Sequence, residues 1–448
     1  MPALTRRHLL QGLTALSAGA YSLPSLSNTW RNWSGNQHAN PQQIIYAQSE
    51  EQISDALRQA KNLRVVGGSH SFSALVPSSD TLLSLEPMNG LVAHDTAQHQ
   101  ATFWAGSRLA QVSSESAKLG QSLINEPDIN VQSLGGTIST ATHGTGGQLK
   151  CLSANVEKIR LFTAEGLPLE CSTSAHPEIF RAAQVGLGCL GVMTQITLQN
   201  EPLYKLKETV QVCSLEEAVS TVAAERLQHR HVEFWGFVDG GKAIIKRQML
   251  TDEPDTPPLT SSIDENALLE FVADTAQKLP WLNSTLQKLV GVFVEESTRV
   301  GPSWQIFPSP RTVAFNEMEY QIPLEQGFAC FNELTEAMRN SDIQVFFPLE
   351  FRFVQADELW LSPFFGQDCV SISIHQYAQQ DYQALFALAE PILRKYGGRP
   401  HWGKWHSLTS KELAPLYPHW KDFLTVREAL DPQGKFLTPY LRNLLGVV

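Results

Sequence analysis

The sequence predicts an α+β protein of two globular units behind a short N-terminal leader. Three observations carry this. Strand and helix signals alternate without the regular βαβ order of a parallel sheet. The character of the chain changes near residue 205, where a strand–helix–strand region begins. The chain has 448 residues, 42% hydrophobic and 18% charged, enough apolar material for a sizeable core and too little charge for disorder. At roughly 150 residues per domain, that length points to two or three domains.

In chain order, Ile44, Ile45 and Tyr46 open a short strand, and Ile53, Ala56, Leu57 and Ala60 recur at helical spacing across 48–62. A strand at 63–66 ends at Gly67-Gly68. Short strands follow at 81–86, 90–94 and 100–105, then a helix at 110–119. A Gly- and Thr-rich loop covers 133–147, followed by a strand at 156–163, a helix at 177–184 and a strand at 192–198. The second unit opens with the strand–helix–strand region to about 250. Asp252-Glu253-Pro254-Asp255-Thr256-Pro257-Pro258 is a loop by composition. A helical stretch over 264–292 breaks at Pro280, strands are expected at 316–322, 344–354 and 369–377, and helices at 325–339 and 381–395. The last forty residues, Pro- and aromatic-rich, close the fold. The units divide as 30–204, 205–410 and a C-terminal return over 411–448.

Lys plus Arg number 34 against 45 Asp plus Glu, a net charge of −11. An acidic chain without basic runs is a poor nucleic-acid or anionic-membrane binder, and no apolar run reaches the roughly 20 residues of a membrane span. The first twenty residues hold no acid and carry Arg6 and Arg7. Thr5-Arg6-Arg7-His8-Leu9-Leu10-Gln11, a moderately apolar stretch and Ala18-Gly19-Ala20 resemble a twin-arginine signal over 1–25. That resemblance implies a periplasmic or exported protein, with the twin-arginine machinery as partner; an amphipathic N-terminal helix is the plainer alternative. Six cysteines without a Cys-x-x-Cys pair argue against a zinc or thioredoxin-type site. No metal is expected, and most cysteines read as buried free thiols.

Gly186-Leu187-Gly188-Cys189-Leu190-Gly191 has the spacing of a dinucleotide fingerprint. Such a fingerprint must follow a strand and open a helix. Here a helix precedes it and a strand follows, so it reads as a tight helix-to-strand turn. Two other loops are more informative. Val65-Val66-Gly67-Gly68-Ser69-His70-Ser71 offers consecutive backbone amides to an anion directly after a strand. Leu134-Gly135-Gly136-Thr137-Ile138-Ser139-Thr140-Ala141-Thr142-His143-Gly144 brings small residues that let backbone approach a flat ligand. Two such loops, each with a histidine, suggest an elongated phosphate-bearing cofactor.

Asn32-Trp33-Ser34-Gly35-Asn36-Gln37, Val66-Gly67-Gly68-Ser69-His70-Ser71, Ala141-Thr142-His143-Gly144-Thr145-Gly146, His401-Trp402-Gly403-Lys404 and Asp431-Pro432-Gln433-Gly434-Lys435-Phe436-Leu437-Thr438-Pro439-Tyr440-Leu441 resemble the sugar-lactone and alditol oxidases. These are the gulonolactone, D-arabinono-1,4-lactone and xylitol oxidases of the vanillyl-alcohol-oxidase-like flavoproteins. The resemblance spans about 30–446. It implies a two-subdomain FAD-binding domain of the vanillyl-alcohol-oxidase (PCMH) type, an α+β cap domain and FAD as cofactor, probed by contacts from Gly67, Gly68, Ser69, His70, Ser71, Pro127, Ser133, Gly135, Gly136, Thr137, Thr140, Thr142, His143, Gly144, Gly191 and Val192. His70 matches the histidine that bonds covalently to the flavin, although Ser69 stands where the family loop has glycine. The second attachment point of some relatives, a cysteine, has no counterpart in 125–135.

Flavin-linked alcohol oxidation needs a group to receive or orient the hydroxyl proton and positive charge for the reduced ring. Glu350 and Arg352 lie two apart in the apolar strand Phe346-Phe347-Pro348-Leu349-Glu350-Phe351-Arg352-Phe353-Val354, hence on one face. Unaided, that pattern reads equally as a buried ion pair or a polar pocket; the resemblance implies substrate hydroxyl contacts. Ser371, Ser373 and His375 alternate likewise, and the resemblance leaves Ser373 and His375 both open as substrate contacts. Lys404 matches a lysine near the flavin and substrate oxygen; alone it reads as a solvated loop lysine. Pro127 matches a gate whose small or proline form accompanies oxidases, which favours oxygen as acceptor. Asp128 stands where a substrate-contacting Ser is common and is expected to pair with Lys404 or Arg352, or to cap a turn. The reading is therefore an FAD-dependent oxidase of a small neutral sugar lactone or polyol that forms hydrogen peroxide. The alternatives are a flavin dehydrogenase passing electrons to a quinone or cytochrome, and a non-catalytic periplasmic sugar-binding protein.

Overall fold

The computed structural model describes residues 28–257, 265–294, 296–309 and 311–447. The expected export signal over 1–25 lies outside the described residues. Near the start of the chain, Gln43–Tyr46, Leu63–Val66 and Thr81–Ser84 form a parallel sheet with Thr81–Ser84 in the middle. The connecting helix Glu50–Gln59 is capped by Ser49, whose side chain accepts the Gln52 N–H, and it buries Ile53, Ala56 and Leu57. A second, antiparallel sheet follows in the order Pro168–Ser172, Val156–Phe162, Val192–Pro202, Gln100–Trp104, Leu91–Asp95, with Gln121–Leu123 on the far end of Val192–Pro202. The glycine turn 186–191 does join helix Pro177–Ala183 to strand Val192–Pro202, as the order of signals requires.

The stretch 133–147, expected as loop throughout, contains the helix Leu134–Ser139. Burial of Leu134, Thr137 and Ile138 holds it against the core. Thr137, Ser139 and Thr140 donate to the carbonyls of Leu134, Gly135 and Gly136 at 2.8, 2.7 and 3.1 Å. Their hydroxyls are thereby satisfied without a partner outside the turn.

From Lys205 onward the chain builds one eight-stranded sheet, in the order Ser297–Pro302, Lys205–Ser214, Lys242–Leu250, His231–Phe237, Leu349–Val354, Cys369–Tyr377, Phe315–Pro323, Arg399–Pro400. All its ladders are antiparallel. Its two faces differ. Phe234, Phe351 and Phe353 point to an apolar layer with Phe331 of helix Leu324–Arg339, and Phe234 stacks on Phe351 at 4.9 Å. The other face carries charged and polar side chains toward the first unit. The strand expected from 344 begins only at Leu349, because Pro348 has no N–H for the ladder and Phe346 and Phe347 join a separate aromatic cluster with Phe72 and Tyr377.

The C-terminal segment returns to the first sheet. Asp431 accepts the N–H groups of Lys435 and Phe436 at 2.8 and 2.9 Å, and Leu63 N–H bonds the Lys435 carbonyl at 3.0 Å. Arg64, 4% exposed, ties three segments together. Its guanidinium donates to the carbonyls of Leu75, Leu187, Gly188 and Phe436 at 2.6–3.0 Å. All six cysteines are buried and unbridged.

Hydrogen bonds from a charged donor contribute about 1.5–3 kcal/mol each, and orphaned buried carbonyls add to the loss. Replacing Arg64→Met should therefore lower unfolding stability by about 3 kcal/mol or more in urea titration; a midpoint equal to wild type contradicts this clamp.

Candidate active site

Three neighbouring strands place the polar groups in register. Glu350 sits opposite Ser373, which sits opposite Glu319; Arg352 opposite Ser371, opposite Gln321; and His375 opposite Glu317. Direct cross-strand partners share a face, so these eight residues form one polar surface.

Glu319 is its centre. One carboxylate oxygen receives His143 Nε2 at 2.6 Å, Gln321 Nε2 at 2.6 Å and the Ser371 hydroxyl at 2.9 Å. The other receives Arg352 Nη2 at 3.0 Å, with Lys404 Nζ at 3.9 Å. Burial would raise this carboxyl's pKa; Arg352, His143 and His401 instead draw it well below the ordinary range. The second nitrogen of His143 faces the Gly144 carbonyl at 2.8 Å, so the ring is held at both ends. Glu317 is held the same way. Lys404 Nζ lies at 2.5 Å and His375 Nε2 at 3.6 Å. Against the opposing effect of burial, Lys404 and His375 pull Glu317 down to about 2. His375 is anchored by Nδ1–H to the Pro348 carbonyl at 2.9 Å. Burial opposes its protonation, yet Glu317 and Glu350 raise its pKa overall. Arg352 also reaches Ser373 at 3.2 Å and Glu350 at 3.4 Å.

These groups face a cavity of about 680 Å³ whose opposite wall belongs to the first unit. Gly67, Gly68, Ser69, His70, Ser71, Pro127, Asp128, Ser133, Gly135, Gly136, Thr137, Thr140, Thr142, His143 and Gly191 line it, together with Glu350, Arg352, His375 and Lys404 from the second unit. A side chain on Gly67 would put its Cβ 1.9 Å from Ser133 Oγ, so the two Gly-rich segments meet with no room to spare. Ser69 adopts a left-handed φ of 58°, normally glycine's region; its hydroxyl accepts Trp30 Nε1–H at 3.1 Å and its carbonyl the Trp33 amide at 2.8 Å. Those bonds explain how serine occupies the glycine position of the family pattern. His70 stacks on Trp33 at 5.2 Å. Burial, with Lys404 and Arg108 nearby, lowers its pKa to about 4, leaving a neutral imidazole at pH 7. A long concave channel, close-packed glycines and a neutral histidine on its wall fit an elongated dinucleotide with a flat ring.

Several expectations need correction. Asp128 pairs with neither Lys404 nor Arg352: its carboxylate meets Arg311 at 2.5 Å and Lys246 at 3.5 Å, because the loop after Pro127 faces strand Lys242–Leu250 and the segment after Pro308. Ser373 is fully buried behind Arg352, whose guanidinium it orients, whereas His375 reaches the cavity wall. Gly144 and Val192 lie behind the wall: Gly144 is packed on the Glu126 carbonyl and Val192 on Phe162. Glu317, Glu319, Gln321, Lys246 and His401 escaped the sequence reading. Alternation of Glu317, Glu319 and Gln321 with Met318, Tyr320 and Ile322 was the signal that could have found the first three. Two triads, His143–Glu319–His401 and Glu317–Glu350–His375, have ligand atoms within 4.8 Å of one another. The carboxylates of Glu319 and Glu317 are already engaged by cationic and polar donors of the chain, so both triads read as a charge network.

A family model described as D-arabinono-1,4-lactone oxidase matches residues 196–444, and one described as FAD binding domain matches residues 41–172. The L-gulono-1,4-lactone dehydrogenase of Mycobacterium tuberculosis is 33% identical over 430 residues, covering 94% of this chain and 100% of that protein. The L-gulonolactone oxidase of Bos taurus is 30% identical over 439 residues, covering 93% and 98%. A cholesterol oxidase from Brevibacterium sterolicum superposes with a TM-score of 0.80 at 13% identity, covering 96% of this chain and 100% of that one. That likeness speaks for the fold alone, the FAD-binding architecture with a cap that the sequence motifs implied.

Glu317 has a depressed folded pKa, so its contribution to stability is complete above the unfolded value near 4.5 and is lost as pH falls toward 2. Replacing Glu317→Gln should cost about 3 kcal/mol at pH 6, and the difference from wild type should shrink steadily between pH 4.5 and 2.5. A difference independent of pH contradicts the assignment.

Proposed function

The chain belongs to the D-arabinono-1,4-lactone oxidase family of FAD-linked oxidoreductases, and on that premise we propose that it oxidises an alcohol group of a neutral sugar-derived lactone or polyol, with molecular oxygen as acceptor and hydrogen peroxide as product. One observation carries the reading. Arg352 and Lys404, both held by buried carboxylates, converge with Glu350 and His375 on one corner of the cavity.

In this reading Arg352 and Lys404 stabilise the alkoxide character that develops as the substrate hydroxyl loses its proton. Glu350 receives that proton. Its carboxylate faces the cavity and its ion pair with Arg352 is long, at 3.4 Å, which leaves it lone pairs for a substrate hydroxyl. His375, fixed by the Pro348 carbonyl, orients the same hydroxyl, and Ser373 fixes Arg352 from behind. Bound FAD supplies the chemistry that accepts hydride from the alcohol carbon and passes the electrons on. Residues 67–71 and 133–143 would hold it, and His70, whose ring burial keeps neutral, would be its point of covalent attachment, since only an unprotonated ring nitrogen is a nucleophile. The aromatic shelf of Trp33 under His70 supports that orientation. The uncompensated acid excess of the chain suits a neutral substrate, which needs no charge steering. Residues 1–25 support export by the twin-arginine route.

A second reading, a dehydrogenase that hands electrons to a quinone or cytochrome, is favoured by the name of the mycobacterial relative; Pro127 on the cavity wall favours oxygen.

The test is made on the purified, flavin-loaded enzyme. Turnover of aldonolactones or alditols should consume oxygen and yield peroxide in equal amounts, and acid-precipitated protein should stay yellow while the His70→Ala variant releases its colour. Rapid flavin bleaching by substrate without oxygen uptake contradicts the oxidase reading, and colour retained by His70→Ala contradicts the attachment.

A further inference from the structure

We propose that the cavity contains a second carbohydrate subsite, built from Trp235, Asp128, Arg311 and Lys246, which binds the hydroxylated tail of the substrate and selects lactones and polyols of six or more carbons over shorter ones. The proposal rests on the reading of the chain as an oxidase of sugar-derived substrates and names the substrate class of that site.

Its position comes from the sheet. Trp235 is the direct cross-strand partner of Glu350, so its indole stands on the same face as the reactive corner, one strand spacing of about 4.8 Å away. Lys246 is on the next strand out, paired with Glu233, roughly 10 Å from the strand of Arg352. All four proposed residues line the cavity. A substrate with its reacting hydroxyl at Arg352 and Lys404 must extend several carbons before it reaches them.

The chemistry of the group fits sugar. Lys246 Nζ and the Arg311 guanidinium lie over the Trp235 ring, 5.3 and 6.0 Å from its centroid, which gathers hydrogen-bond donors on an indole. The hydroxyls of a carbohydrate meet such donors while its C–H groups pack against the indole beside them. Each charge has an opposite beside it: Arg311 bonds Asp128, and Lys246 stands 3.5 Å from Asp128 and Glu208. Burial raises Glu233 to about 8, which removes a negative charge next to Asp128. Fixed donors and acceptors with little net charge suit neutral hydroxyls better than a carboxylate or phosphate. A substrate too short to reach them leaves these groups without the partners a longer one supplies, and sites of that kind discriminate strongly. Arg352, Lys404 and Glu350 act on the reacting carbon; nothing in that task requires Trp235 or Arg311.

The experiment uses the flavin-loaded full chain and a series of alditols and 1,4-lactones of four to seven carbons. In wild type, kcat/KM should climb to six carbons and then level off. Trp235→Leu, and separately Arg311→Gln, should lower the six-carbon to four-carbon ratio of kcat/KM about tenfold, mainly through KM. Two results overturn the proposal: a wild-type preference for four carbons, or a ratio unchanged in both variants, whether all substrates weaken together or none does. An enzyme that turns over none of the series instead overturns the underlying functional reading.

Discussion

Glu319 keeps its negative charge where burial alone would remove it, and the arrangement of the polar face of the cavity depends on that charge. Its two oxygens gather donors from four places: His143 from the first unit, Gln321 on its own strand, Ser371 on the neighbouring strand and Arg352 one strand further. A buried carboxylate is tolerable only when so engaged. The consequence runs outward. Arg352 is fixed at a definite point above Glu350, and the His143 loop is fastened to the cap sheet. The segment carrying Lys404 is held against the same strand by backbone bonds from His401 to the Glu319 carbonyl and from Trp405 to the Glu317 carbonyl, each 3.0 Å.

The cap sheet divides its labour by strand periodicity. One face packs phenylalanines against helices and supplies hydrophobic burial; the other carries the charges of the cavity. A one-residue slip in register would exchange the two faces, so the apolar layer behind Phe351 and Phe353 specifies the position of Glu350 and Arg352 in front. Stability and function are thus written on alternate residues of the same strands. The end of the second unit brings Lys404 to the cavity, and the return segment then closes the fold through Asp431 and Arg64.

Much of this was legible in sequence. Glu350 and Arg352, and the row from Ser371 to His375, declared themselves by polar alternation inside apolar strands, and the glycine loops by their composition after strands. Less legible was anything decided by pairing between distant strands. Glu319 lies in a strand whose polar alternation was overlooked, and its partners come from residues 143, 352 and 371, which no local window joins. Asp128 was visible as a departure from the family pattern, but its partners Arg311 and Lys246 depend on how the first unit meets the cap. The helix Leu134–Ser139 was hidden because its glycines, threonine and serine have low helix propensity, which the burial of Leu134, Thr137 and Ile138 overrides.

We propose that ionised Glu319 positions Arg352 for catalysis and fastens the His143 loop beside it. The direct measurement is kcat and its pH profile for flavin-loaded Glu319→Gln beside Glu319→Asp, with the unfolding midpoint and the flavin spectrum recorded for both. With Glu319→Gln kcat should fall by about 100-fold, with partial recovery in Glu319→Asp and a folded, flavin-bearing protein in each case. A Glu319→Gln enzyme with kcat and pH profile within twofold of wild type would contradict it.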